Sequence, residues 1–421
     1  MAGTASSPPE NGTIRANAYA WLVFAVIALL GFSDWMVRQV VIGIFPLLQK
    51  DWSLSDGQIG QLAAIVPLVV GLTMMPLALV IDRWSRVKAM FLMSLVWSLA
   101  TISCGFAATY GQMLAARGLL GLSEAAYGPA GFALLAWHFP ARLRATAIGG
   151  ALVASSLGNV AGIALGGTLA TTWGWQTTFI AAGAISLLIA FGVLLVRDYP
   201  TRSLPKVDGL TGKVGHVAAS LLGSRTTIYT CLGSAGLLFV MSSLINWLPL
   251  YLTRYHGIPV AQAAQMAGGG ALLGAVGGLF WSQAADRWGM RDVRGKLYVP
   301  AIGAIAVTGL GTAGLVAADA GSFQIALILS VFLFTSVVMG PINAVVMDVV
   351  DPSLHASAGA LVGLAQNLLG LAAGPLAIGY LSDRIGLERS LTVLPIIAAV
   401  SCVLFLIASR SYPLERRPDV P

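Results

Sequence analysis

Polar positions along this chain gather in short clusters, and the intervening stretches stay apolar for about 20 residues, the length a helix needs to cross the hydrocarbon core of a bilayer. Twelve such stretches can be read, centred at about residues 34, 69, 98, 124, 157, 186, 240, 274, 306, 337, 368 and 399. The longest polar connection, Arg197 to Arg225, follows the sixth. The pattern predicts an all-α integral membrane protein of twelve transmembrane helices in two sets of six. The expected boundaries are a polar, disordered tail at 1–19, a first bundle at 20–196, a linker at 197–227, a second bundle at 228–409 and a tail at 410–421.

Composition agrees with a polytopic membrane protein. Of 421 residues, 57% are apolar and 10% charged, where soluble domains carry about a quarter charged residues. The first apolar run is too long for the core of a secretory signal. Eighteen of the 24 lysines and arginines fall in the two tails, the linker and the loops after the second, fourth and eighth spans; four lie in the opposite loops. Basic residues collect on the cytoplasmic side, so both termini are expected there. The net charge of +7 is spread through short loops, which fits topology and not a nucleic-acid surface. Cys104, Cys231 and Cys402 fall in separate apolar runs with no disulfide or metal spacing.

Two charged pairs lie inside spans. Asp34 and Arg38, spaced i, i+4, share a face of the first helix. Arg117 and Glu124, spaced i, i+7, share a face of the fourth, in a stretch with no other charge from Gly111 to Phe139. At 1.5 Å of rise per residue, Asp34 and Glu124 both lie about 21 Å from the cytoplasmic end, Arg38 about 27 Å and Arg117 about 31 Å. Charges at that depth are costly and usually functional. A static salt-bridge network is the plain alternative. Coupling is the other: a cavity that opens alternately to two sides changes both the solvation of a carboxyl and its distance from an arginine, so protonation can follow conformation.

The two sets of six also repeat. Asp82-Arg83-Trp84-Ser85-Arg86 after the second span is echoed by Asp286-Arg287-Trp288-Gly289-Met290-Arg291 after the eighth, and Arg144-Ala145-Thr146-Ala147 by His355-Ala356-Ser357-Ala358, at offsets of 204 and 211 residues. Parallel repeats of this kind resemble the halves of a major facilitator superfamily transporter. The run Asp82-Arg83…Arg86 is similar to that superfamily's motif A, with Ala78 where a glycine is usual. The run Arg117-Gly118…Gly121-Leu122-Ser123-Glu124-Ala125-Ala126-Tyr127 resembles the spinster type within it. So do Gly340-Pro341-Ile342-Asn343-Ala344 and Gly379-Tyr380-Leu381-Ser382-Asp383-Arg384. Two positions depart from that pattern: Val37 precedes Arg38 where an acid is usual, with Asp34 a turn earlier, and Leu371 accompanies Asn367 in place of a polar pair.

The resemblance implies that the first and fourth helices line a central cavity. Glu124 and Asp34 are then the expected proton-coupling groups, and Arg38 and Arg117 the partners that bind an anionic head group, through the bidentate fork that suits phosphate and carboxylate. Tyr127, Asn246, Asn343 and Asn367 are further candidates to line the substrate site. Asp82, Arg83, Arg86, Asp286 and Arg287 are expected to act at the cytoplasmic edge as an inter-helix latch, and Asp348 at a helix end or gate. Gly158, Gly162 and Gly166, spaced by four, predict close helix packing.

Other functions lack their residues. His138, His216, His256 and His355 lie at helix ends or in loops, and no HExxH, GxSxG or paired-acid motif accompanies them, so an enzyme is not expected. The GxxxxGK[ST] phosphate loop is missing, so ATP cannot drive the chain from within. The expected function is secondary active transport with a proton as coupling ion and no other cofactor. As substrate, the spinster resemblance implies an amphiphilic lysophospholipid or sphingoid-phosphate-like lipid, with a small organic anion or drug efflux as alternatives. The expected partners are that substrate and membrane lipids, not nucleic acid; the expected form is a monomer, and short loops suggest a bacterial inner membrane.

Overall fold

The computed structural model describes residues 18–81, 85–124, 127–198, 223–317, 321–351 and 355–416, with the side chains of 75, 78–81, 127–129, 317, 356 and 357 outside that description. Among the described residues the chain is helical and contains no strand. The first half holds α1 (Ala18–Trp52), α2 (Asp56–Ile81) and α3 (Arg86–Gly105), then α4, in the stretches Tyr110–Glu124 and Tyr127–His138, α5 (Ala141–Trp173) and α6 (Trp175–Phe191). The second half holds α7 (Arg225–Tyr255), α8 (Val260–Gly289) and α9 (Gly295–Thr312), then α10, in the stretches Ser322–Thr335 and Pro341–Val349. It closes with α11, from His355 to Ile385 with a π-helical stretch at Gln366–Ala372, and α12 (Leu394–Glu415). Eleven of these are long and apolar enough to cross a membrane by themselves; α4, in its two stretches, supplies the twelfth. This is the twelve-helix, two-bundle architecture expected from the apolar runs.

The ends of the bundles differ slightly from expectation. Ser224 accepts a hydrogen bond from the Thr227 amide at 3.0 Å, a side-chain N-cap that starts α7 at Arg225, inside the expected linker. The last helix runs on to Glu415, which accepts from Ser224 Oγ at 2.6 Å. That bond ties the start of the second bundle to its end.

Packing repeats along with sequence. In the first half α1 lies against α5, α2 against α4 and α3 against α6; in the second, α7 lies against α11, α8 against α10 and α9 against α12. The halves meet where α2 lies on α11 and α5 on α8, and exchanging the halves turns one contact into the other. Large apolar side chains such as Leu188, Leu279, Phe280 and Phe323 point outward, fully or largely exposed, as a surface solvated by lipid requires.

Helix α1 has a separate partner on each face. Cβ atoms on Gly158, Gly162 and Gly166 would stand about 3 Å or less from the backbones of Phe32, Met36 and Val40, so α5 meets α1 backbone to backbone. Ser33 receives a hydrogen bond from Ser186 of α6 at 3.3 Å, and Ser186 in turn accepts from Trp97 Nε1 and Ser98 of α3 at 2.9 and 3.0 Å. The remaining face, carrying Asp34 and Arg38, is turned to α4.

Candidate functional site

One ion pair joins that face to α4. Arg38 Nη1 donates to Glu124 Oε2 at 3.1 Å, with side-chain exposures of 14% and 3%. The Arg38 guanidinium also stands over the Trp35 ring, 5.2 Å from its centroid, within cation–π range. Asp34 is buried and lies within electrostatic reach of both Glu124 and Arg38.

What these groups lack is as informative. Glu124 Oε1 and Asp34 Oδ1 are both buried without a hydrogen-bond partner among the described residues. Native interiors rarely leave such atoms unpaired, and exceptions call for an explanation such as a chemical role. Two acids beside one paired arginine, with a free oxygen on each acid, form a place where a proton can reside.

Arg117 is fully buried and behaves differently. Its Nε donates to the Leu62 carbonyl of α2 at 2.8 Å, its Nη1 is unpartnered among the described residues, and it interacts electrostatically with Glu124 and Arg38. It belongs to the cluster by charge, and to the α2–α4 contact by hydrogen bonding. Removing one member of a buried charge set costs roughly 3–5 kcal/mol. Arg117→Met, similar in length but without charge, is therefore expected to lose about 3 kcal/mol of stability, read as a lower denaturation midpoint in detergent. An unchanged midpoint would show that α2 and α4 pack without it.

The other expected residues separate into groups. Tyr127 opens the second stretch of α4, and its side chain lies outside the description. In the second half Asn246 Nδ2 donates to the Ser242 carbonyl at 2.8 Å, and Ser242 Oγ donates to the Leu371 carbonyl in the π-helical stretch at 2.9 Å. Asn367, in the same stretch, donates to the Gly363 carbonyl at 2.9 Å. Asn343 is exposed on α10. No described hydrogen bond or ion pair joins these three to the α1–α4 cluster.

At the expected cytoplasmic edge, Asp82 and Arg83 lie outside the described residues and Arg86 is the first residue of α3. Asp286 and Arg287 are exposed at the end of α8, and no ion pair among the described residues includes them. Asp348 accepts from Lys296 Nζ at 2.6 Å and from Tyr412 Oη. Both partners belong to the second half, so this bond braces that bundle internally.

Sequence reading overlooked two groups beside the cluster. Gln39 Nε2 donates to Asn159 Oδ1 at 2.6 Å, a polar bond between α1 and α5 next to the glycine contacts. Trp35 precedes Arg38 by three residues, a same-face spacing that could have flagged it.

Comparison with known proteins gives this geometry a context. A sequence profile described as Major Facilitator Superfamily matches residues 27–375. An MFS-type efflux pump of Mycolicibacterium smegmatis is 27% identical over 405 residues, covering 93% of each chain. A hexuronate transporter of Bacillus subtilis is 24% identical, covering 86% of this chain and 88% of its own. The crystal structure of a bacterial homolog to the human lysosomal transporter Spinster, inward-facing and unoccupied, superposes with a TM-score of 0.83 over 96% of this chain and 100% of that one, at 20% identity.

Proposed function

This chain belongs to the Major Facilitator Superfamily, and from that premise we propose that it couples protons to the movement of an organic anion by alternating access, through the Arg38–Glu124 pair. It is a transporter and not an enzyme. The observation that carries the reading is a half-buried arginine, Arg38, held by one carboxylate oxygen, beside two buried carboxylate oxygens with no partner among the described residues.

The mechanism follows from charge balance. While Glu124 is ionised it occupies Arg38, and an incoming carboxylate or phosphate would have to compete with a partner already in place. A proton on Glu124 neutralises that partner and frees the guanidinium to take the anion through two parallel hydrogen bonds. One proton and one negative charge then enter together, and the cluster never holds an uncompensated charge, which would be costly in a dry site. Asp34 offers a second position for the same proton. Rocking of the two halves about the cavity moves the loaded site from one side to the other.

The anion is read first as a lysophospholipid or sphingoid-phosphate-like amphiphile, which is what the spinster resemblance implies. A small organic acid is the second reading, favoured by the hexuronate transporter among the relatives. We place the chain in a bacterial cell membrane, as a multi-pass fold with bacterial relatives suggests, and as a monomer.

Flux of a lysophospholipid and of glucuronate into proteoliposomes, with and without an imposed pH gradient, tests the proposal. Uptake of one of them should rise as pH falls on the loading side, because that side must supply the proton. Glu124→Gln should still exchange the anion but ignore the gradient. A Glu124→Gln protein as gradient-sensitive as the parent would overturn the role of Glu124. Drug antiport, the activity suggested by the efflux-pump relative, would give the opposite sign, since proton and substrate would then compete and acid on the loading side would slow uptake.

A further inference from the structure

A second polar cluster lies at the other end of α1 and α2, the end expected to face outward, and it joins the halves. Asp56, the first residue of α2, accepts from both terminal nitrogens of Arg254 in α7, with Nη1 to Oδ2 at 2.8 Å. It also accepts from Gln49 Nε2 at 2.7 Å and from Ser382 Oγ in α11. Arg254 Nη2 reaches Gln49 Oε1 at 2.6 Å.

Asp383 makes the converse contact. Its Oδ1 and Oδ2 accept from the backbone amides of Asp56 and Gly57 at 2.8 and 2.9 Å. The first amides of a helix have no partner within that helix and carry the positive end of its dipole. Helices normally cap them with a side chain from the residue just before the helix. In α2 Ser55 does this for the third amide, its Oγ accepting from Gln58 N at 3.2 Å, while the first two amides are taken by a carboxylate from the opposite half of the protein. Each half thus supplies a carboxylate that draws donors from the other half: Arg254 and Ser382 for Asp56, which Gln49 of its own half joins, and the α2 amides for Asp383.

Glycines make this approach possible. A Cβ on Gly60 would stand 2.7 Å from the Pro375 carbonyl oxygen, and one on Gly379 2.6 Å from that of Asp56. Yet the polar bonds sit at a rim. The Arg254 side chain is 31% exposed and that of Asp56 9%, so water can take over these bonds when the helices part. A fully buried ion pair could not be opened so readily, because its charges would have to be separated inside an apolar interior.

We propose that Gln49, Asp56, Arg254, Ser382 and Asp383 form a two-way latch that holds this end closed and is broken once in each transport cycle. The latch rests on alternating access, and on neither the identity of the anion nor the role of Glu124. Opening it exposes three charges and the α2 amides together, so its parts act as a unit and loss of one weakens the rest.

The latch can be read without substrate. Thr168 of α5 and Gln265 of α8 hydrogen-bond across the same end at 3.2 Å without touching the latch residues. A Thr168→Cys/Gln265→Cys protein treated with a short bifunctional thiol reagent reports closure, and the native cysteines are buried from that reagent. Arg254→Gln is expected to slow cross-linking on the order of tenfold, as loss of a charge-assisted bond from one of two states implies. Because Arg254→Gln leaves a carboxylate unpaired and can impair folding, the Asp56→Asn/Arg254→Gln pair, which leaves no lone charge, is measured alongside it. Slower cross-linking in this folded double variant supports the latch. Cross-linking at the parent rate, in protein that elutes as a single species with an unchanged denaturation midpoint, overturns it, whatever the flux experiments show.

Discussion

Arg38→Gln should reduce anion transport by at least ~30-fold while leaving a folded protein, because truncating one partner of a largely desolvated, hydrogen-bonded charge pair costs about 2–5 kcal/mol in binding. Glutamine keeps a hydrogen-bond donor at the position but removes the charge that offsets Glu124 and the fork that would hold a carboxylate or phosphate. Arg38→Lys should recover little, since an ammonium cannot make the bidentate contact and is a poorer partner for the Trp35 ring. Binding measured by substrate-induced thermal stabilisation separates the two uses of Arg38. If Arg38 receives the anion, the stabilisation disappears in both variants. If it serves only to hold Glu124, Arg38→Lys retains it.

The same pair makes a double-substitution test informative. Removing one member of a buried ion pair strands the other, whereas removing both can be nearly neutral. Arg38→Gln/Glu124→Gln is therefore expected to be more stable than Arg38→Gln alone and equally inactive. Equal stability of the single and double variants would mean that Arg38 and Glu124 do not depend on each other in the folded protein.

How far the sequence reached can be judged from these residues. Apolar run length gives the spans directly, because nothing in a bilayer core satisfies a backbone except a helix or a closed barrel. Spacing placed Asp34 with Arg38, and Arg117 with Glu124, and depth placed all four within about 10 Å of one another along the helices. Depth did not give the pairing. By rise per residue Glu124 matched Asp34, whereas its hydrogen-bond donor is Arg38, since a long arginine side chain reaches over a turn of helix and depth is counted at the Cα atoms. Nor could spacing show that Arg117 donates to a main-chain carbonyl of α2, because every residue carries such an acceptor. The rim cluster was the least legible part. Asp56 and Arg254 are 198 residues apart, and each alone looks like an ordinary loop-end charge; only the seating of α2 on α11, with α7 packed beside α11, brings them together.

The glycine spacing on α5, by contrast, was legible, and it carries the largest expected loss of stability. Gly162→Leu should leave little or no folded protein. A Cβ at this position would lie 3.0 Å from Met36 Cα and 3.1 Å from the Met36 carbonyl carbon, and these are backbone atoms that no rotamer change can move. Ordinary helix pairs stand 8–10 Å apart because side chains separate them, so a leucine would force α1 and α5 apart along their whole contact. Overpacking commonly costs about 1–3 kcal/mol where side chains can yield; here the cost should exceed about 4 kcal/mol, in the range reserved for severe core disruption. Gly149→Leu on the same helix supplies the control. A Cβ there meets nothing within 4 Å, and leucine favours a helix over glycine, so yield and denaturation midpoint should hold or rise. The intermediate change, Gly162→Ala, connects packing to transport. It adds only the Cβ, which would press on the Met36 carbonyl oxygen, so it should fold with α1 pushed away and the Arg38 guanidinium displaced relative to Glu124. Transport should therefore fall further than stability does. If Gly162→Ala lowers both in proportion, the glycine contact supports the fold without positioning the site.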